Sequence, residues 1–395
     1  MPLPCQPNRR PRILQCVSHL ALGGAERVTV TLIDALRGDF EFALHAVHHA
    51  PPNVVGDSFA RQMQSLGVPI YSGTKLSMKN GGMLTGALAL AGSMRRFSPD
   101  LIHLHTEIPE AALATLLCWR PSLSQLPLVR TIHSTAYWQF WRPLGRWCDR
   151  RLARGSIAGV SVSALSAFSQ LRSESGAQPT TPKPVVIYNG VHKPPAGTPR
   201  IRRDGTSPVR LVFGGRLATE KGADLIPEIL AQVPTPPSGA QLVIHGHGRH
   251  EKLLHALSHN APPGWSVILQ PTVADFPARL AEFDLLLMPS RSEGLGLLAI
   301  EAALAGTPVI ATDAPGLREA LPPEHPWLAA AGSASHFAAT LRSAMQQPER
   351  WLEVARRAHD FALQRFSVPT MAEAYRRLYL NALANHPRVH NKESS

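Results

Sequence analysis

Residues Asp284 to Thr312 read DLLLMPSRSEGLGLLAIEAALAGTPVIAT, and this stretch decides the fold. Leu285 to Met288 is an unbroken apolar run stopped by Pro289 and Ser290, the pattern of a buried parallel strand ending at a turn. The loop Glu293-Gly294-Leu295-Gly296 follows, then a helical pattern through Leu297, Leu298, Ile300, Ala303 and Leu304. Gly306 is placed to cap that helix, and Val309-Ile310-Ala311 predicts the next strand. A helix start carries unpaired N–H groups and a partial positive charge, and glycines let an anion approach closely, so the loop predicts a phosphate site. Glu293 falls in the loop, and Glu301 falls inside the helix, aimed back at the same crevice. Two carboxylate acceptors around a phosphate suit a ligand with hydroxyls on both sides of it, such as a sugar nucleotide. Read singly, the glutamates fit solvated surface charges equally well.

Outside this stretch, 395 residues are long for one core and suit two domains. The cysteines Cys5, Cys16, Cys118 and Cys148 are scattered without metal-like spacing, which fits a reducing cytoplasm. The start, MPLPCQPNRRPR, lacks the apolar segment of a secretory signal, and the apolar patch near Met83 to Met94 is too short to span a bilayer. The net charge of +12 is uneven. Residues 1–192 hold 19 Lys and Arg against 10 Asp and Glu, residues 193–208 hold 4 against 1, and the remainder is balanced at 17 against 17. A basic first half predicts an anionic partner there, a membrane surface before nucleic acid, since no nucleic-acid module or stacking pattern of aromatics is visible.

Apolar runs at Arg12–Val17, Phe42–Val47, Val68–Tyr71, Leu101–Leu104, Leu128–Ile132, Ala158–Val162 and Val185–Ile187 predict strands of a mostly parallel sheet alternating with helices. Gly23-Gly24-Ala25-Glu26-Arg27 opens the first helix, again glycine at a helix start. His103, His105 and His133 fall at strand ends, where ligands of such sheets collect. From Tyr137 to Arg154, YWQFWRPLGRWCDRRLAR spaces Arg142, Arg146, Arg150 and Arg154 four apart behind Trp138, Phe140 and Trp141. A continuous helix would make this a basic stripe beside tryptophan, the chemistry of a membrane interface, although a packed helix with a solvated arginine face reads the same.

PSRSEGLGLLAIEAALAGTPVIAT resembles the donor-site segment of the GT-B glycosyltransferases of family 4, a retaining family, with two glutamates at this separation before a similar EA-A-GTPV run. GGAER at Gly23, IYNGV at Ile187 to Val191, GGRLATEKG at Gly214 to Gly222, LVIHGHG at Leu242 to Gly248 and PGLREAL at Pro315 to Leu321 resemble further family segments in the same order. Gln270-Pro271 departs from the glycine common in the family. The resemblance covers roughly residues 12–380. It implies two Rossmann-like α/β domains facing a cleft: residues 1–192, a linker 193–208, a nucleotide-sugar domain 209–370, a helix 371–387 crossing back to the first domain, and a tail 388–395. It also implies Arg216 and Lys221 on the donor diphosphate, Glu293 on the transferred sugar, Glu301 on the ribose and His133 in the sugar pocket. Gly23, Gly24, Gly215, Gly294, Leu295, Gly296 and Leu297 then form the backbone around the donor.

The expected reaction is retaining transfer from a UDP- or GDP-sugar to a glycan or lipid-linked acceptor, with no cofactor. The sequence has no Asp-x-Asp motif, so metal-independent chemistry is expected. The expected place is the cytoplasmic face of the membrane. A sugar-nucleotide epimerase would lack the paired-glutamate segment; a catalytically silent sugar-nucleotide-binding or assembly protein of the same fold is the remaining alternative.

Overall fold

The computed structural model describes residues 9–21, 23–49, 54–176, 182–193, 207–273 and 275–385. Most of the linker expected at 193–208, the tail 388–395 and Cys5 lie outside the described residues. The first sheet contains β1 (Arg12–Val17), β2 (Glu41–His48), β3 (Ile70–Thr74), β4 (Leu101–His105), β5 (Leu128–Ile132), β6 (Ser156–Gly159) and β7 (Val185–Val186). Their order is β3-β2-β1-β4-β5-β6-β7, all parallel. The second sheet contains β8 (Val209–Gly214), β9 (Ala240–His245), β10 (Trp265–Gln270), β11 (Leu285–Met288), β12 (Val309–Thr312) and β13 (Leu328–Ala329), in the order β10-β9-β8-β11-β12-β13, also parallel. Strand order reverses direction beside β1 in one sheet and beside β8 in the other, and the loops at those switch points face each other.

The expected boundaries hold for β1, β5 and β11, and shift by a residue or two at most others. β6 is a larger displacement. It ends at Gly159, because Ser161 leaves the sheet to cap the helix Val162–Glu174, accepting the Ala164 N–H at 3.0 Å. The arginine stripe is also shorter than expected. The helix Arg142–Arg151 stops before Arg154, and Trp138 is core rather than interface, 6% exposed against Gly145. Phe140 and Trp141 remain outside, 88% and 43% exposed.

The last helix, Val368–Ala384, starts slightly before the expected Met371. Pro369 in its first turn and the Ser367 cap fix that start. Met371, Ala372, Tyr375, Tyr379 and Ala382 bury against the first helix, Gly24–Leu36, and the first sheet, so the chain leaves the second domain and finishes in the first.

Candidate active site

The cleft is built from the loops after β1, β5 and β6 on one side and after β8, β11 and β12 on the other. On the second-domain side Lys221 ends a short turn, Thr219–Lys221, that is bolted to the exit of β11. Arg291 forms two hydrogen bonds to Asp224 at 2.7 and 2.9 Å and donates to the Thr219 carbonyl at 2.6 Å, while its own N–H reaches the Glu220 carbonyl at 2.8 Å. Gly222 follows at φ +71°, and a Cβ there would stand 2.0 Å from the Pro289 carbonyl oxygen, so only glycine lets the two loops touch. This clamp aims Lys221 Nζ between both oxygens of Glu293, at 2.7 and 2.6 Å, and Ser290 Oγ donates to the same carboxylate at 2.9 Å. Arg216 is more open, with its side chain 58% exposed and 3.2 Å from Glu220.

The loop Glu293 to Gly296 is pressed onto the first domain. Gly294 lies so close to the His133 carbonyl that a Cβ would stand 2.0 Å from its oxygen. Ser161 Oγ donates to the Gly294 carbonyl at 2.6 Å, and Thr135 Oγ1 donates to the Glu293 carbonyl at 3.1 Å. Leu295 is buried, and Gly24 faces Leu297. Gly296, at φ +76°, starts the helix Leu297–Ala305 without a side-chain cap, so its first N–H groups stay available to an anion. From the loop after β12, the Glu319 carboxylate accepts the N–H groups of Val162 and Ser163 at 2.8 Å each, capping a first-domain helix from the second domain.

Glu301 faces across the cleft and is 5% exposed. Arg27 of the first helix forms an ion pair with it. Burial raises the Glu301 pKa and the Arg27 guanidinium opposes that rise. Beside it, Glu26 is folded over Gly23 at the same helix start, and burial pushes its pKa up to about 7, opposed by its own backbone N–H and by Arg216. His133 is held by His105, ring nitrogen to ring nitrogen at 2.9 Å, and burial lowers its pKa to about 3.

The structure brings Gly24, Glu293, Gly294, Leu297, Glu301 and His133 together where the two domains meet, with Lys221 and Glu293 satisfying each other and Glu301 engaged by Arg27. Sequence reading missed Arg27 as a partner of Glu301, Arg291 and Asp224 as the clamp behind Lys221, and Glu319 as a cap. A clue for Arg27 was present. It lies three residues after Gly24, so helical spacing puts it on the face of the glycine junction.

With this geometry in place, comparison with known proteins is informative. Residues 22–193 match the family model described as Glycosyltransferase Family 4, and residues 200–361 match Glycosyl transferases group 1. The chain is 29% identical over 311 residues to a glycogen synthase of Mycobacterium tuberculosis, covering 74% of this chain and 71% of that relative. It is 31% identical over 193 residues to the GDP-mannose-dependent alpha-(1-6)-phosphatidylinositol monomannoside mannosyltransferase of the same organism, covering 45% and 49%. Among solved structures, Anabaena Alr3699/HepE in complex with UDP-glucose superposes with a TM-score of 0.75 at 20% identity, covering 94% of this chain and 99% of that one.

Proposed function

As a member of glycosyltransferase family 4 with the GT-B fold, the chain is a glycosyltransferase, and we propose that it transfers sugar with retention of configuration from a UDP- or GDP-sugar to a glycan or lipid-linked acceptor. The observation that carries this reading is the paired arrangement at the cleft: Lys221 with Glu293 and Arg27 with Glu301, on the two sides of an uncapped helix start. Each ion pair is a stand-in for ligand contacts. A diphosphate offers Lys221 a denser anion than one carboxylate, which releases Glu293 to accept hydrogen bonds from the sugar. Ribose hydroxyls take up Glu301 in the same way as Arg27 withdraws.

Breaking the bond between the sugar and the diphosphate builds negative charge on the departing phosphate oxygen. Arg216, Lys221 and the N–H groups from Leu297 onward stabilise it. The acceptor hydroxyl attacks from the face the diphosphate leaves; the new bond forms to its oxygen, and its proton passes to the departing phosphate oxygen. The relative named for a phosphatidylinositol mannoside supports a lipid-linked acceptor, and the glycogen synthase supports a glycan. The basic first domain, with Phe140 and Trp141 exposed ahead of Arg142, Arg146 and Arg150, supports a peripheral position on the cytoplasmic face of an anionic membrane.

The experiment is turnover after a thermal-shift screen of nucleotide sugars has identified the donor that stabilises the fold. Arg216→Ala and Lys221→Ala should each lower turnover about a hundredfold, the scale of losing one transition-state donor. Near-normal rates in both single variants would remove them from the diphosphate.

A further inference from the structure

One face of the first sheet carries polar groups that the packing of a helix on a sheet does not require. β1, β4 and β5 present Gln15, His103, His105 and Thr131 on the side where the last helix lies, among Ile13, Val17, Leu101 and Val129. All four are wholly buried, as are Tyr375 and Tyr379 on that helix. Together with His133 they form one hydrogen-bonded chain that begins at the cleft. His133 Nε2 is 2.9 Å from His105 Nδ1, and His105 Nε2 is 2.8 Å from Gln15 Oε1. Gln15 Nε2 is 2.9 Å from the Tyr379 hydroxyl, which is 2.7 Å from His103 Nδ1. His103 Nε2 is 2.7 Å from Thr131 Oγ1, which is 3.0 Å from the Tyr375 hydroxyl.

With the Gln15 oxygen toward His105 and its NH2 toward Tyr379, the direction of every link follows. That oxygen can only accept, so His105 carries its hydrogen on Nε2 and offers a lone pair at Nδ1. His133 must then donate from Nε2, which leaves its Nδ1 as a bare acceptor; that atom has no protein partner among the described residues. In the other direction Gln15 donates to Tyr379, Tyr379 to His103 Nδ1, His103 Nε2 to Thr131, and Thr131 to Tyr375. No link has two donors or two acceptors. Turning the amide over would reverse all of them at once and make His133 Nδ1 a donor, so the groups switch as a unit. Neutral rings are required throughout, and burial lowers all three histidines, His103 and His105 furthest below the usual range.

We propose that Gln15 and Tyr379 are positioning residues that hold His133 in the Nε2–H tautomer, so that its Nδ1 accepts a hydrogen bond from a hydroxyl of the sugar or of the acceptor in the cleft. The nature of that hydroxyl rests on the glycosyltransferase reading; the tautomer does not. Apolar side chains in the six buried places would seat the helix without any polar group to satisfy, and a buried network of this length is costly unless every member is bonded. Because Tyr379 belongs to the helix that runs back from the second domain, the seating of that helix and the hydrogen-bonding sense of the cleft histidine are one variable.

The test compares two deletions of a single hydroxyl from the same helix, Tyr379→Phe next to Gln15 and Tyr375→Phe at the far end of the chain. Nitrogen-15 spectra of the full chain labelled at histidine, with the His133 signal assigned through His133→Gln, report the tautomer directly. The wild type should show His133 as Nε2–H alone, Tyr379→Phe should show a mixture, and Tyr375→Phe should match the wild type. With the donor found by thermal shift, Tyr379→Phe should lower kcat/KM about tenfold, the worth of one hydrogen bond, and leave binding of the free nucleoside diphosphate unchanged. An Nδ1–H ring or an imidazolium in the wild type would overturn the proposal, as would equal tautomer changes in the two variants, which a purely structural role requires. If no nucleotide sugar is turned over, the proposed reaction fails while the spectra still decide the relay.

Discussion

Arg130 and Arg27 each hold a glutamate inside the molecule, and they do so under opposite conditions. Arg130 is 0% exposed and belongs to one domain. It donates to both Glu110 oxygens at 3.0 and 3.2 Å, to Asp149 at 2.9 Å and to the Tyr137 hydroxyl at 2.8 Å, while Tyr137 and the Trp138 indole donate to the same Glu110. The Arg27 side chain is 28% exposed, meets its glutamate from the other domain, and has no second carboxylate partner among the described residues. The first arrangement gathers several partners within one domain, so no single contact decides it even though Asp149 Oδ2 is left without a hydrogen bond, and it holds the loop from Ser134 to Trp141 through Tyr137 and Trp138. The second has one partner on each side of a seam, so a ligand that offers Glu301 better hydrogen bonds can open it. The difference between scaffold and site thus lies in how many partners an arginine has and whether they move together.

Three variants put that difference under strain. Arg130→Met should be the most damaging, because it takes the buried guanidinium away from two buried carboxylates, Glu110 and Asp149. The expected loss is about 3–5 kcal/mol of stability, read as a large fall in the midpoint of urea unfolding. A normal midpoint would mean that Arg130 does not hold the cluster together. Arg27→Ala should cost less than Arg130→Met, because it removes one contact to a single carboxylate, Glu301, whose pKa burial already raises and which can take up a proton instead. It should also tighten binding of the free nucleoside diphosphate measured by calorimetry, since Glu301 no longer has a competitor. Weaker binding would make Arg27 a ligand contact instead of a latch. The triple change of Arg142, Arg146 and Arg150 to Ser should barely move the unfolding midpoint. Co-sedimentation with anionic vesicles at low salt should nevertheless drop, each arginine near the surface contributing on the order of 1 kcal/mol. Loss of binding to neutral vesicles as well, or no wild-type binding to anionic ones, would return these arginines to a plain solvated face.

How much of this was legible in the sequence depends on whether the residues of a feature are neighbours along the chain. The second-domain side of the cleft was readable as structure because Leu285 to Thr312 holds strand, loop, helix and strand in one run, and period and glycine placement specify it locally. Lys221 and Arg216 sit in a similar run after β8. What escaped was made of distant pieces. Arg27 and Glu301 are 274 residues apart, and Gln15 and Tyr379 are 364 apart, so no local pattern links them. The end of β6 was misplaced because Val160 and Val162 continue the apolar run, while the Ser161 cap, which ends the strand, is a single residue with two jobs. Val162 is 55% exposed, so its apolar character misled. Trp138 was misjudged for a related reason: a tryptophan beside arginines reads as interfacial until Gly145 opens a slot for its ring.

The returning helix also orders events in time. Met371, Tyr375 and Tyr379 close the core formed by β1, the first helix and β2, so those first-made elements wait for the last-made one. A ribosome adding roughly 5–20 residues per second leaves that face of the first domain open for tens of seconds, and for some seconds after the second domain has its described strands. During synthesis this face of the first domain is therefore closed only after the second domain's strands are made. The first half, although it leads in sequence, finishes last.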